Sequence, residues 1–252
     1  MDSSYGEQYA NLYRRHWWWR ARERFLRRVL SRLVAPGSAG EVLDFGCGDG
    51  LFLDQLARYG APQGIETDER LLSATGRWRE KIATAPLSRD ESQHGRYGLI
   101  VALDVLEHIA DPVPVMDELA RRLRPDGVFV ATLPAFQQLW TAHDVLNKHV
   151  KRYTVRDATA LVAGSGLQVT DARYFFTGLA LLKWLVVQKQ RIVPADPQPP
   201  SVPLAPVNAL LLGAACIEQT ILGDSRPPFG SSVLIVGRPT RATVNTNAPP
   251  SP

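Results

Sequence analysis

The fold class that this sequence predicts is a doubly wound α/β domain with a seven-stranded, mainly parallel sheet. Three observations lead there. Seven short runs of strand-like residues recur along the chain, helix-like stretches separate the first five of them, and the first run passes directly into a glycine-rich turn, "EVLDFGCGDG" (41–50). Alternating strand and helix patterns need crossover connections, which set strands side by side in parallel and cover both sheet faces. Ligands of such sheets bind beyond the carboxyl ends of the strands, where strand order reverses. The glycine turn sits at an end of that kind.

The N-terminal segment, 1–36, contains "YRRHWWWRARERFLRRVLSRLV", in which Trp19, Leu26, Val29, Leu30 and Leu33 have the spacing of an amphipathic helix. Pro36-Gly37 ends it. Residues 1 to 34 hold eight arginines against Asp2, Glu7 and Glu23. These arginines make either a solvated helix face, a lid over a site, or a contact for an anionic partner.

Strand patterns follow at 40–45 ("GEVLDF"), 62–66 ("PQGIE"), 81–85 ("KIATA"), 97–103 ("YGLIVAL"), 127–133 ("GVFVATL"), 167–176 ("LQVTDARYFF") and 231–237 ("SSVLIVG"), the last fitting a closing edge strand. Helix-like stretches lie at 51–59, 69–79 and 113–124. The main domain is therefore expected over 37–177 and 229–240. Between its sixth and seventh strands, 178–228 reads as a helical insertion built from the apolar stretches 178–193 and 207–222. Their connector, "PADPQPPSVPLAP", has six prolines in thirteen residues and is expected to be extended. Each stretch carries a charge, Lys183 or Glu218, and falls short of the roughly 20 residues that span a bilayer. A helical hairpin this apolar needs a cover: a second subunit in a homodimer through 178–222, an apolar acceptor, or a peripheral membrane surface. The tail, 241–252, reads as disordered.

Composition narrows the function classes. A chain of 252 residues with 45% hydrophobic content is built to bury a core. Outside the basic N-terminus, twenty-one basic residues face twenty-two acidic ones, so no nucleic-acid partner is expected. Cys47 and Cys216 are the two cysteines, too few for a disulfide framework, and no His, Cys and acid set has the linear spacing of a zinc site. No metal is expected. The start, "MDSSYGEQYA", lacks the apolar core of a signal peptide, which makes a cytoplasmic location the expectation.

The glycine turn carries the chemistry. Gly46, Gly48 and Gly50 allow positive φ and remove the Cβ atoms that would hold a ligand off the main chain. A dinucleotide fingerprint needs G-x-G-x-x-G, but its last position is Leu51 here and the spacing is G-x-G-x-G. Asp44, just before the turn, suits a cationic ammonium and opposes a pyrophosphate. Glu66 ends the second strand pattern, where an acid accepts hydrogen bonds from ribose hydroxyls. These residues describe a nucleoside that carries an amino acid in place of phosphates.

In this combination the sequence resembles the class I S-adenosylmethionine-dependent methyltransferases, and in particular their bacterial small-molecule, glycan and lipid-pathway members. "VLDFGCGDG" looks like their first motif, "GIETDERLL" like their ribose-binding acid, "YGLIVALDVLEHIADP" like their fourth strand and "LRPDGVFVATLP" like their fifth. The resemblance implies a Rossmann-like sheet and S-adenosyl-L-methionine as cofactor. Asp44, Gly46, Cys47 and Gly48 would line its methionine end, Glu66 its ribose, Thr67 its adenine, and Leu103 would add main-chain contacts. The third strand region, "ATAPLSRDESQHGRYG", lacks the acid expected near the adenine amino group.

The acceptor side should lie over "LWTAHDVLNKHVKRYT" (139–154), which gathers His143, Asp144 and His149 in one polar segment after the fifth strand. A histidine paired with a carboxylate can act as a general base near neutral pH; alternatively both histidines only brace the segment. The expected reaction is in-line methyl transfer to a small-molecule, glycan or lipid-linked acceptor, at oxygen in preference to nitrogen or carbon. A quinone-like ring hydroxyl is one alternative, and a cofactor-binding module without turnover is another.

Overall fold

The computed structural model describes residues 3–193 and 199–240. The chain enters through two helices, α1 (Ser3–Arg15) and α2 (Trp17–Leu33). A single helix was expected here. It breaks at His16, whose side chain caps α2 by accepting a hydrogen bond from the Trp18 N–H.

Strand β1 (Gly40–Phe45) leads through the glycine turn into the short α3 (Leu53–Leu56), then β2 (Gly60–Ile65) and β3 (Ile82–Ala83). Strand β4 (Tyr97–Leu103), α4 (Val113–Arg122) and β5 (Leu123–Pro134) complete the parallel part. Helices α5 (Ala142–Leu146) and α6 (Val155–Gly164), strand β6 (Leu167–Phe175), helices α7 (Thr177–Ile192) and α8 (Ala205–Leu222), and β7 (Ser232–Pro239) follow. The seven strands form one sheet in the order β3-β2-β1-β4-β5-β7-β6. Strands β1 to β5 run parallel, and β7 pairs antiparallel with both β5 and β6. Strand order reverses between β1 and β4, which is where the glycine turn emerges.

Two expectations are corrected. Strand β7 is not an edge: Val233, Leu234, Ile235 and Val236 are all fully buried, the mark of an interior strand covered on both faces. The stretch 69–79 is not a helix but two 3₁₀ turns, Glu69–Leu71 and Arg79–Lys81. Asp49 there accepts a hydrogen bond from the Ser73 N–H, and Gly76 follows, so local capping replaces helix continuation.

Side chains alternate across the sheet with period two. Leu99, Val101, Val128 and Val130 face α2 and α3, whereas Ile100, Ala102, Phe129 and Ala131 face α4 and α6. Helix α2 is thus a core element: Phe25, Leu26, Val29 and Leu30 are buried, and Phe25 stacks on Phe175 with ring centroids 4.2 Å apart.

Helix α8 lies along α2. Gln219 donates to the Ala21 carbonyl at 2.8 Å, Arg28 donates to the Gln219 carbonyl at 2.7 Å, and Asn208 accepts from the Trp17 N–H at 2.9 Å. The charge inside α8 has a purpose. Glu218 accepts hydrogen bonds from the Thr177 and Gly178 N–H groups and so caps α7. Helix α8 starts at Ala205, earlier than the sequence pattern, and its 18 residues make it long and apolar enough to cross a membrane by length and composition, with 11% of it buried. The outer faces of α7 and α8 expose Leu181, Leu185, Leu210, Ile217 and Ile221. The expected tail, 241–252, and residues 194–198 of the connector lie outside the described residues.

Candidate active site

A cavity of about 540 Å³ opens beyond the carboxyl ends of β1, β2 and β4. Its cofactor half is made by the glycine turn. Gly46, Gly48 and Gly50 all have positive φ, and a Cβ on Gly46 would fall 2.4 Å from the Val105 side chain. Only glycine fits there. Gly46, Gly48, Glu66, Thr67 and Leu103 line this cavity, and the expected site therefore converges in space.

Asp44 and Cys47 do not line the wall. Asp44 is buried beneath the turn. Burial pushes its carboxyl up to about 7, with the Arg22 charge opposing the rise and Glu66 adding to it. Cys47 turns its thiol into the core, where it fills the space that a Cβ on Gly64 would need, and burial raises the thiol pKa. Its contribution to a ligand is therefore through the main chain.

Glu66 is the organising residue. One carboxylate oxygen accepts the Gly48 N–H at 3.0 Å and the other accepts the Asp68 N–H at 2.9 Å, which ties the glycine turn to the end of β2. Each oxygen keeps a second lone pair for hydroxyl donors. No residue of 84–93, after the third strand, is among the cavity walls, in keeping with the missing acid there.

Helices α1 and α2 supply walls that the sequence left open. Tyr9, Trp18, Trp19 and Arg22 face the cavity. Tyr9 meets Trp19 edge to face, with centroids 6.2 Å apart. Arg22 donates to Asp104 at 2.7 Å and to Thr132 at 3.3 Å, and its guanidinium lies over the Trp18 ring. The signal was present: Arg22 sits three residues from Trp19 and four from Leu26, on the apolar face, where a solvated arginine does not belong.

The acceptor half is built from the segment after β5. Backbone bonds from Phe136 to Tyr153 and from Tyr153 to Pro134 fold it against the strand end, and the Val150 N–H donates to the Glu107 carbonyl at 2.7 Å. Asp144 is fully buried and saturated. It accepts from Arg152 at 2.8 and 3.0 Å, pairs with His149 Nδ1 at 2.8 Å, and accepts from the Thr141 N–H at 2.8 Å. Burial alone would raise its pKa, but the bonds from His149 and Arg152 hold it well below the usual carboxylate range. His143 pairs with Asn147 at 2.8 Å rather than with Asp144, and burial together with the Lys183 charge lowers its pKa to about 4. His143 and His149 both line the cavity, while Asp144 stands behind His149.

Three further groups line the cavity. Lys183 reaches in from α7, and burial and then the Arg152 charge lower its pKa to about 8. His108 and Glu107 end the turn after β4 and meet His149, the two imidazoles lying edge to face 4.8 Å apart. Linear spacing hid this cluster because 40 residues separate its parts.

A family model described as a methyltransferase domain matches residues 18–172. Among curated proteins, the ubiquinone biosynthesis O-methyltransferase of Albidiferax ferrireducens is 29% identical over 136 residues, which are 47% of this chain and 54% of that protein. The enzyme of the same name from Methylococcus capsulatus is 34% identical over 102 residues, 37% of this chain and 43% of that protein. The chain spans about half the length of the curated relatives it matches. Among solved structures, a complex of the Trm112 methyltransferase activator and a methyltransferase from Haloferax volcanii aligns with a TM-score of 0.59 at 15% identity, covering 95% of this chain and 96% of that one. A TehB-like S-adenosylmethionine-dependent methyltransferase from Corynebacterium glutamicum aligns with a TM-score of 0.53 at 16% identity, covering 95% of this chain and all of that one.

The walls fit S-adenosylmethionine. Bare backbone at Gly46 and Gly48 could admit its methionine end, Asp44 beneath the turn could answer its ammonium, Glu66 could offer two acceptors to ribose, and the Tyr9 ring could face a sulfonium. By family match, sheet order and the chemistry of this cleft, the chain belongs to the methyltransferase-domain family as a class I S-adenosylmethionine-dependent methyltransferase.

Proposed function

We propose that this chain methylates a hydroxyl of a small aromatic, quinone-like acceptor that carries an apolar tail. The observation that carries the reading is the composition of one cavity: a nucleoside-and-ammonium half at Gly46, Gly48 and Glu66 adjoins a half lined by Asp104, His143, His149 and Lys183. The names of the matched relatives, ubiquinone biosynthesis O-methyltransferases, support oxygen as the acceptor atom.

The cofactor, when bound, supplies a methyl group on a sulfonium. The protein's part is to hold an acceptor oxygen in line, keep water out and take up a proton. Tyr9, Trp18 and Trp19 form the dry wall on the side of α1 and α2. Arg22, placed beside Asp44 and Asp104, is positioned to meet a carboxylate of the methionine end. Of the expected bases, His143 gives way in this reading to Lys183. With a pKa near 4 it is a weak base at neutral pH, whereas an amine with a pKa of about 8 is partly neutral there. Asp144, saturated by Arg152 and Thr141, acts as a positioning residue for His149.

The exposed apolar faces of α7 and α8 support a lipid surface as the cover for this side of the molecule. Helix α8 is nearly all apolar and little buried, and α7 ends in Lys189 and Arg191, which suit anionic headgroups. Because α7 also delivers Lys183 to the cavity, a tailed acceptor held in lipid would reach the site along this helix.

The test is a panel of ring hydroxyls and amines, with and without apolar tails, incubated with isotopically labelled S-adenosylmethionine and read by mass spectrometry. Transfer to tailed hydroxyl acceptors, with flotation on anionic liposomes, is the expected result. Preferred amine methylation would overturn the oxygen assignment. Concentration-dependent dimerisation without liposome binding would replace the lipid surface with a second copy of the chain.

A further inference from the structure

Glu107 poses a problem that the cofactor reading leaves unsolved. Its side chain is 1% exposed, and neither carboxylate oxygen has a hydrogen-bond partner. The nearby ions are already matched: Asp104 pairs with Arg22 and Asp144 with Arg152. A buried carboxylate left over in this way requires a proton or a cation.

The side chains facing Glu107 favour a cation. One ligand atom each from Glu107, His108 and His149 can be chosen so that all lie within 4.8 Å of one another. Metal bonds of about 2.1 to 2.4 Å set neighbouring ligand atoms roughly 3 to 4 Å apart, so side-chain rotation has to draw this set together by about 1 Å to close it on an ion. Both histidines are also held from behind. His149 gives its Nδ1 to the buried Asp144 at 2.8 Å, which leaves Nε2 for a ligand, and His108 is bonded to the backbone of Asn147 and Lys148. A carboxylate or carbonyl behind each imidazole is the usual support of a metal-binding histidine.

We infer that Glu107, His108 and His149 form a site for a borderline divalent metal of the zinc, manganese or iron(II) type, with positions open toward the acceptor half of the cavity. Two imidazoles and one carboxylate suit such ions and disfavour magnesium, which prefers oxygen ligands. The role rests on the hydroxyl-acceptor reading above. A hydroxyl coordinated there loses its proton more readily, the proton passing through Lys183 to water. The freed oxygen then forms its bond to the methyl carbon as the carbon–sulfur bond breaks and leaves a neutral thioether.

Metal binding can be read without turnover. Full-length protein stripped with a chelator is loaded with Zn²⁺ or Co²⁺, desalted and assayed for metal content, with the visible d–d absorption of Co²⁺ as the signature of histidine ligation. About one ion per chain is expected. Glu107→Gln and His149→Ala should each weaken retention at least 10-fold, while His143→Ala, which lines the same cavity, should not. Calorimetry with S-adenosylhomocysteine verifies that each variant is folded. Wild-type protein that binds S-adenosylhomocysteine but retains neither ion overturns the inference, as does undiminished binding in a folded Glu107→Gln. Failure of the two readings is distinguishable: hydroxyl methylation that survives chelation sinks the metal site alone, and metal binding without hydroxyl methylation sinks the acceptor assignment alone.

Discussion

Glu66→Ala separates what this carboxylate does for the fold from what it does for the cofactor. Its two oxygens each accept one backbone N–H, from Gly48 at 3.0 Å and from Asp68 at 2.9 Å. Truncation frees two donors at the cavity rim, where water can serve them, so the cost to stability is a fraction of the two bonds. With about 1 to 3 kcal/mol lost, the melting temperature of a chain this size should fall by roughly 2 to 10 °C. Cofactor binding loses the lone pairs that remain for ribose hydroxyls. Hydrogen bonds to a charged group contribute about 1.5 to 3 kcal/mol, which is roughly a 10- to 150-fold loss of affinity. Glu66→Gln should lie between, because its amide keeps one acceptor but turns an NH₂ toward one of the two backbone donors. Titration calorimetry with S-adenosylhomocysteine, run beside thermal melts, gives both numbers. A folded Glu66→Ala with affinity within about twofold of wild type would refute the assignment of the ribose to this residue.

Three other outcomes follow from the same geometry. Asp44 has a pKa of about 7, above its unfolded value, so the folded chain holds an extra proton between about pH 4 and 7, and this group's contribution to stability falls as pH rises through that window. A ligand ammonium near the turn favours ionised Asp44, so S-adenosylhomocysteine affinity should rise with pH up to about 7 and level off, whereas Asp44→Asn should bind weakly without that slope. Gly46→Ala forces a positive φ on an L-residue and drives its Cβ into Val105, so it should cost about 1 to 3 kcal/mol of stability and most of the cofactor affinity; near-wild-type binding would mean that the turn is not the wall. Lys183→Met should lower turnover about 10²- to 10⁴-fold with cofactor affinity unchanged, and the rise of rate with pH through about 8 should disappear. A variant that keeps that limb assigns the proton to another group.

The sheet was legible because its signals are local. Valine-rich and leucine-rich runs at 97–103 and 127–133 read as buried strands, and three glycines at alternate positions after β1 mark a turn that no other residue can make. Strand β7 was visible as a strand but not as an interior one, since its neighbours β5 and β6 are set by long-range pairing. The stretch 69–79 carried a helical pattern, but capping by Asp68 and the bond from the Ser73 N–H to Asp49 overrode it, and neither is visible from periodicity. The expected cofactor residues were legible as a group because Asp44, Gly46, Gly48 and Glu66 lie at strand ends within one βαβ unit, though Asp44 lies beneath the turn and off the cavity wall. The acceptor half was readable only as a composition. That Asp144 would be consumed by Arg152, that His143 would choose Asn147, and that His149 would turn toward Glu107 and His108 all depend on how 139–154 folds back on β5. Arg22 was hidden for a different reason: among eight N-terminal arginines, only its place on the apolar face of α2 sets it apart.

The central claim is that this cleft takes an amino-acid-bearing nucleoside and not a dinucleotide. Calorimetric titration of the purified chain with S-adenosylhomocysteine and, separately, with NAD tests it most directly. The account predicts saturable binding of S-adenosylhomocysteine at one site per chain, weakened by Glu66→Ala and Asp44→Asn, and no measurable heat with NAD. Binding of NAD at comparable or greater affinity, lost in the same two variants, would contradict it.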